Sequence, residues 1–95
     1  MNFEWDPGKA EANRRKHGVD FADAVGVFDD PFALTEEDPH PSDERFVTLG
    51  RDLPDRLVVV SWLLSDESIR LISARRATPR ERRQYTQGLD DAEGI

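Results

Sequence analysis

Residues 57–64 read Leu-Val-Val-Val-Ser-Trp-Leu-Leu and form the most apolar run of the chain. The run is apolar on both of the faces that a strand would present, which is typical of a strand in the middle of a sheet. We therefore predict a central strand over residues 56–64. Eight residues are too few for a transmembrane helix, which needs about 20.

Shorter strand-like segments flank the central strand and are separated from it by turn sequences. Residues 44–50 predict the preceding strand, and residues 69–76 predict the following strand, which is joined through a hairpin turn at 65–68. Residues 32–35 predict a further short strand, which leads into an acidic, proline-containing loop at 36–43. These segments predict a four-stranded antiparallel sheet.

Two helices are predicted before the sheet. Asp6 followed by Pro7 is a helix-start signal, and Gly18 supplies a left-handed stop. A second helix should begin at Asp20, because apolar side chains then follow the spacing of one helical face until Asp29-Asp30-Pro31 ends it. The residues on that face are Phe21, Ala24, Val25 and Phe28.

A third helix follows the sheet. Thr78-Pro79-Arg80-Glu81 is a capping box with proline at the first helical position, and it predicts about ten helical residues up to Gly88. Residues 89–95 should form a frayed acidic tail. The predicted fold class is thus α+β, with two N-terminal helices, a four-stranded antiparallel sheet and a C-terminal helix in a single domain of residues 1–95.

The composition excludes several classes of protein. The 95 residues include no cysteine, so disulfide and thiolate chemistry are excluded. The N-terminal residues have neither the basic nor the apolar region of a signal peptide, so we expect a soluble, cytoplasmic protein without membrane association. The net charge of -7 argues against simple nucleic-acid binding.

The charges are unevenly distributed along the chain. Residues 1–50 carry 12 acidic and 5 basic side chains, whereas residues 51–95 carry 8 of each. Six arginines and one glutamate lie within residues 70–83. Such a patch could bind a polyanion locally, or it could be a solvated face with salt bridges.

No motif of a known metal, nucleotide or hydrolase site is present. We expect no metal and no cofactor, because His17 and His40 are far apart and no histidine and carboxylate have the spacing of metal ligands on a helix. The remaining candidates are the arginines around the junction of the last strand and the last helix, since guanidinium groups match the oxygens of a phosphodiester. Arg75 and Arg76 are adjacent in a strand, so they should face opposite sides of the sheet.

Three other side chains or pairs could move a proton. Tyr85 could stack on a base, act as an acid or base, or pack against the sheet. Glu44 and Arg45 could form an acid–base and phosphate pair or an ion pair at a strand edge. His17 could act in catalysis or cap the end of its helix, where a cation is favoured.

A set of short motifs carries a family resemblance. In order, they are FEWDP at 3–7, Lys9, Asn13, KHGV at 16–19, Phe21, VFDDP at 27–31, ERF at 44–46, Gly50, ISARRA at 72–77, Glu81-Arg82 and Tyr85. Together they cover residues 3–88 and resemble the BrnT family of type II toxins. The resemblance implies a compact fold similar to RelE-type toxins and a ribosome-independent, metal-independent ribonuclease that inhibits translation and growth.

The resemblance also implies partners and a site. The partner would be a BrnA-like ribbon-helix-helix antitoxin, and the complex would contact promoter DNA only through the antitoxin. We predict that RNA is cleaved by attack of its own 2′-hydroxyl on the adjacent phosphate. The predicted catalytic residues are Arg75, Arg76, Arg45, Glu44, Tyr85 and His17, and the predicted RNA-binding residues are Arg51, Arg80, Arg82, Arg83 and Lys16.

Two other functions remain open at this point. The chain could be a non-catalytic co-repressor that acts only in complex with the antitoxin. It could also be a DNA-binding regulator, although the sequence shows no helix-turn-helix and no basic recognition helix apart from the last one.

Overall fold

The computed structural model describes residues 2–39 and 44–93. Along the chain, the elements are β1 (Asn2–Glu4), α1 (Pro7–His17), α2 (Phe21–Ala24), a 3₁₀ turn (Val25–Asp29), β2 (Leu34–Asp38), β3 (Arg45–Arg51), β4 (Leu57–Ser65), β5 (Ser68–Arg76) and α3 (Pro79–Glu93). The predicted loop at 36–43 is partly strand, since β2 includes residues 36–38. The rest of that loop, residues 40–43, lies outside the described residues.

The strands form one sheet in the order β1-β5-β4-β3-β2. Strands β2 to β5 are an antiparallel meander, as predicted, but β1 adds to the edge of β5 in the parallel direction. The prediction of a four-stranded antiparallel sheet with two N-terminal helices is therefore wrong: the sheet is mixed and has five strands. The three residues of β1 are too few to show strand periodicity in the sequence.

The second predicted helix is also wrong as a regular element. It is one α-helical turn, followed by five residues of 3₁₀ helix. Gly26 lies in this segment, and a Cβ atom added there would be 2.5 Å from the backbone nitrogen of Leu53. This close approach of two backbones fixes the tighter path of the chain at Gly26.

Helix α1 has the predicted ends and lies beside β5. The side chain of Asp6 accepts a hydrogen bond from the Lys9 N–H at 2.9 Å, and Gly18 has a φ of 70°. The buried Asn13 carboxamide accepts from the N–H of Ala74 at 3.0 Å and donates to its carbonyl at 2.8 Å. Asn13 thus satisfies the β5 backbone where β1 no longer pairs with it.

Two clusters of buried side chains occupy the two faces of the sheet. The larger cluster packs α1, α2 and the 3₁₀ turn on one face, and it includes Val58, Val60 and Leu71. The smaller cluster packs α3 on the other face, where Leu49 and Val59 contact Ala77 and Tyr85. Leu89 packs against this smaller cluster, which explains why α3 continues past Gly88 rather than ending there.

No helix within residues 2–39 and 44–93 is long and apolar enough to cross a membrane.

Candidate active site

The face of the sheet that carries α3 is only partly covered by that helix. Strand alternation and pairing place three rows of side chains on this face. The first row contains Leu49, Val59 and Arg75 and lies under α3. The second row contains Val47, Ser61 and Ser73, and the third contains Arg45, Leu63 and Arg70. We name the second and third rows, together with Arg75, the uncovered face.

Three arginines reach this face from two strands. Arg45 and Arg70 both pair with Leu63, so one strand separates them, and their Cα atoms are about 10 Å apart. Arg75 lies further along β5, beyond Ser73. The row between these arginines contains two small hydroxyl side chains, Ser61 and Ser73, which pair directly with each other. All five side chains are half-buried.

Arg75 is held in place by the first turn of α3. Its guanidinium donates to both carboxylate oxygens of Glu81, at 2.8 and 2.9 Å. The hydrogen bond from Arg75, with further help from Thr78, lowers the pKa of Glu81 to about 2, and the Arg75 pKa is raised. Glu81 also accepts from the Thr78 N–H at 2.8 Å, so the predicted capping box is present.

Arg70 has a weaker partner. Its guanidinium lies 3.6 Å from the carboxylate of Glu4 in β1, and both side chains are about two-fifths exposed. A pair with this exposure contributes little to stability, so Arg70 is available to exchange its carboxylate for a phosphate. Arg70 belongs to the arginine patch seen in the sequence, but its place in a site depends on the pairing of β4 with β5.

The end of α1 brings a histidine and a lysine to the edge of the uncovered face. A groove of about 240 Å³ between α1 and β5 is lined by Lys9, Lys16, His17 and Ser73, among others. Ser73 thus belongs both to this groove and to the uncovered face. His17 is half-buried there and is the one histidine within the described part of the chain. Of the predicted residues, Lys16 and His17 therefore lie together beside β5, whereas Arg45 and Arg75 lie on the uncovered face.

The structure places Tyr85 elsewhere. Its side chain is 2% exposed, and its hydroxyl donates to Asp30 at 2.8 Å. Burial raises the pKa of the Tyr85 hydroxyl, and the hydrogen bond to Asp30 raises it further. This geometry favours packing over the proposed role in proton transfer.

Arg51 belongs with Tyr85 rather than with the uncovered face. Its guanidinium lies 5.4 Å from the centre of the Tyr85 ring and 3.5 Å from the carboxylate of Asp55. Its backbone N–H donates to Asp30 at 2.9 Å. Arg51 thus helps to join the end of β3 to α3.

The remaining predicted residues are exposed and dispersed. Arg76 lies on the opposite face from Arg75, since the two arginines pair with Val58 and Val59, which belong to different clusters. Arg82 and Arg83 line a groove with Asp90 on the outer side of α3. Arg80 lies at the start of that helix, and Glu44 lies just before β3.

The region is not arranged as a metal centre. Within residues 2–39 and 44–93, no three histidine or carboxylate side chains are grouped as metal ligands would be. A second groove, of about 350 Å³, borders the uncovered face at Val47. It is lined by Glu36 and Glu81 as well as by apolar side chains, so it is less suited to a phosphate than the arginine rows are.

Comparisons with known proteins bear on the family of this chain. The family model of the ribonuclease toxin BrnT of type II toxin–antitoxin systems matches residues 5–81. A crystal structure of the Brucella abortus ribonuclease toxin BrnT is similar, with a TM-score of 0.61 and 27% identity, over 82% of this chain and 97% of that chain. No curated protein matches the sequence. Because the family model covers most of the chain, this protein belongs to the BrnT family of ribonuclease toxins of type II toxin–antitoxin systems.

Proposed function

We propose that this toxin cuts RNA on the uncovered face without a metal ion and without the ribosome. The observation that supports the proposal is that Arg45, Arg70 and Arg75 lie on the same face of the sheet as Ser61 and Ser73, in the same or adjacent rows. A phosphodiester over these two serines would be within reach of guanidinium groups from more than one side. The toxin would act in the cytoplasm, where loss of RNA stops translation and growth.

The proposed reaction is an internal transesterification. The 2′-oxygen bonds to the phosphorus, the bond from phosphorus to the 5′-oxygen breaks, and the products are a 2′,3′-cyclic phosphate and a 5′-hydroxyl. One group takes the proton of the 2′-hydroxyl, and another supplies a proton to the 5′-oxygen. His17 is the group assigned to one of these transfers, since it lines a groove together with Ser73. Glu44 is the alternative on the β3 side.

The arginines would stabilise the charge that develops on the pentacoordinate phosphorus. Removal of one such donor typically lowers the rate by about 10²-fold or more. Arg70 is proposed to contact the phosphate directly, because its exposed pair with Glu4 is readily exchanged. Lys16 would attract the RNA backbone at the edge of the face.

The antitoxin of this system is proposed to be a BrnA-like ribbon-helix-helix protein. In that arrangement the toxin–antitoxin complex binds its own promoter, and the DNA contacts come from the antitoxin. The net charge of -7 supports this division, because it opposes general binding of nucleic acid and leaves the toxin only the local contacts that its arginines make with RNA.

A second candidate function is that of a non-catalytic co-repressor. The observation that favours it is the bidentate pair of Arg75 with Glu81, which occupies one of the three arginines of the face. A co-repressor would bind the antitoxin but would leave RNA intact.

The experiment that separates the two functions uses purified, antitoxin-free toxin and naked RNA in EDTA. Cleavage that leaves 2′,3′-cyclic phosphate ends supports the nuclease, and dependence on added metal or on ribosomes contradicts the proposed mechanism. A His17→Ala variant should lose most of the cleavage. Intact RNA, with folded and monodisperse protein in all buffers, favours the co-repressor.

A further inference from the structure

A row of aromatic rings crosses the face of the sheet opposite to the arginines. Phe3 lies 5.3 Å from Phe28, Phe28 lies 5.3 Å from Trp62, and Trp62 stacks on Phe46 at 4.6 Å between ring centres. Leu64 belongs to the same row, because it pairs with Ile69, which in turn pairs with Phe3. We name these five side chains the aromatic strip.

The aromatic strip lies at the margin of the larger cluster rather than inside it. Phe28 and Trp62 pack against that cluster but remain half-buried. Phe3 is 37% exposed and Leu64 is 46% exposed. Five large apolar side chains that adjoin on one surface and retain access to solvent are typical of a surface that binds another protein.

Acidic side chains border the strip beside Phe46 and near Leu64. Glu37 pairs with Phe46 across β2 and β3, and Asp66 and Glu67 form the turn that follows Leu64. The surface is therefore apolar in the middle and negative at its rim, whereas the uncovered face carries Arg45, Arg70 and Arg75 on the other side of the sheet.

We propose that the aromatic strip is the docking surface for a basic, amphipathic segment of the antitoxin. The acidic rim selects a partner with lysines or arginines beside its apolar anchors. The inference rests on the proposed function in one respect, namely that this toxin is neutralised by a protein antitoxin.

A second copy of this chain does not fit the same surface. In a two-fold dimer the same patch meets itself, so acidic side chains at the margin of one copy would lie against the acidic margin of the other. Like charges brought together in this way oppose association. RNA is disfavoured for the same reason, since the phosphates would meet the acidic rim.

The size of the strip suits one short helix. The chain of ring centres from Phe3 to Phe46 extends over about 15 Å, which corresponds to about ten helical residues. Such a helix would present apolar side chains at i, i+3, i+4 and i+7 to the rings. The segment would lie on the side of the sheet away from the arginines.

The test measures the affinity of the purified toxin for its cognate antitoxin, by titration calorimetry or surface plasmon resonance. Leu64→Lys places a positive charge in the strip at an exposed position. Leu53→Lys is the matched control, because Leu53 is 64% exposed and lies in the turn between β3 and β4. A Glu37→Gln/Glu67→Gln double variant tests the rim, and thermal unfolding checks that each variant is folded.

The proposal predicts that Leu64→Lys weakens antitoxin binding at least about tenfold, as expected for an apolar anchor replaced by a charge. Leu53→Lys should change it less than about twofold, and the double variant should weaken binding most at low salt. Unchanged antitoxin binding by folded Leu64→Lys overturns the proposal. The proposal is also overturned if the wild-type toxin is a dimer and Leu64→Lys is a monomer, because the strip would then bind a second copy of the chain.

Cleavage of naked RNA is measured on the same variants without antitoxin. Equal cleavage by wild type and Leu64→Lys places the strip outside the nuclease site, as proposed, and a selective loss in the folded variant overturns that assignment. If wild type does not cut RNA, the proposed nuclease fails, but the binding comparison still decides whether the strip is the docking surface.

Discussion

Glu81 offers a quantitative test of the contact between α3 and the uncovered face. Its carboxylate accepts two hydrogen bonds from Arg75 and one from the Thr78 N–H. Glu81→Gln removes the charge but keeps an oxygen that can accept from Thr78, so it isolates the ion pair from the cap. Glu81→Ala removes both.

The pKa of Glu81 gives an upper limit for the loss in the free energy of unfolding when Glu81 is replaced. It falls from 4.5 to about 2, which corresponds to at most about 3.5 kcal/mol at roughly 1.4 kcal/mol for each unit. The Arg75 side chain is 41% exposed, so solvent screens the pair and we expect about 1–2 kcal/mol at neutral pH. For a domain of this size each kcal/mol lowers Tm by about 4–8 °C. Glu81→Ala should cost about 1 kcal/mol more through loss of the cap.

The stabilisation by Glu81 should depend on pH in a defined direction. The folded-state pKa of Glu81 lies below its unfolded value, so its contribution is complete above about pH 4.5 and is lost as pH falls towards 2. Urea unfolding of wild type and Glu81→Gln should therefore differ most at pH 7 and converge as the pH falls from 4.5. A difference that is absent at pH 7, or that stays constant down to pH 3, would refute this reasoning.

Two further substitutions test the structural roles of residues that sequence motifs single out. Tyr85→Phe should lower the free energy of unfolding by about 1–2 kcal/mol in urea, because the hydroxyl donates to Asp30. The rate of RNA cleavage per folded molecule should be unchanged. A loss of about 10²-fold in this rate would instead indicate that Tyr85 is a catalytic residue. Asn13→Ala should lower the free energy of unfolding by about 3 kcal/mol, since it leaves the N–H and carbonyl of Ala74 without their buried partner. A decrease below about 1 kcal/mol in the same measurement would contradict the role of Asn13 at the edge of β5.

Much of the fold could be predicted because the signals were local. The apolar run at 57–64, the start of α1 at Asp6 and the capping box at Thr78 each depend on neighbours in the sequence. Strand β1 could not be predicted in this way, since its three residues become a strand only through pairing with β5. The 3₁₀ turn likewise depends on Gly26 approaching the backbone of Leu53, which is distant in the sequence.

In the candidate site, too, some features follow from local sequence and others depend on tertiary contacts. The arginine patch and the opposite orientation of Arg75 and Arg76 follow from composition and strand geometry. The place of Arg70 depends on tertiary pairing, because it joins Arg45 only through their common neighbour Leu63 in β4. For Tyr85, the sequence motif suggested a role in acid–base catalysis. In the structure its hydroxyl instead donates a hydrogen bond to Asp30 inside the fold.

The two faces of the sheet have different charges, and this difference underlies both proposals. Arginines from β3 and β5 lie on one side, whereas the aromatic strip with its acidic rim lies on the other. An antitoxin segment bound to the strip would not by itself cover the arginines, so inhibition would also require another part of the antitoxin to reach the uncovered face. A complex that keeps Leu64 buried but leaves Arg70 accessible would retain cleavage.

The most direct measurement of the central claim compares Arg70→Ala with Arg82→Ala in cleavage of naked RNA in EDTA. Each variant removes one positive charge, but only Arg70 lies on the uncovered face, since Arg82 lines a groove on the outer side of α3. The account predicts a loss of about 10²-fold or more for folded Arg70→Ala and a change of less than about threefold for Arg82→Ala. Equal losses in both variants, or a loss only in Arg82→Ala, would contradict cleavage on the uncovered face.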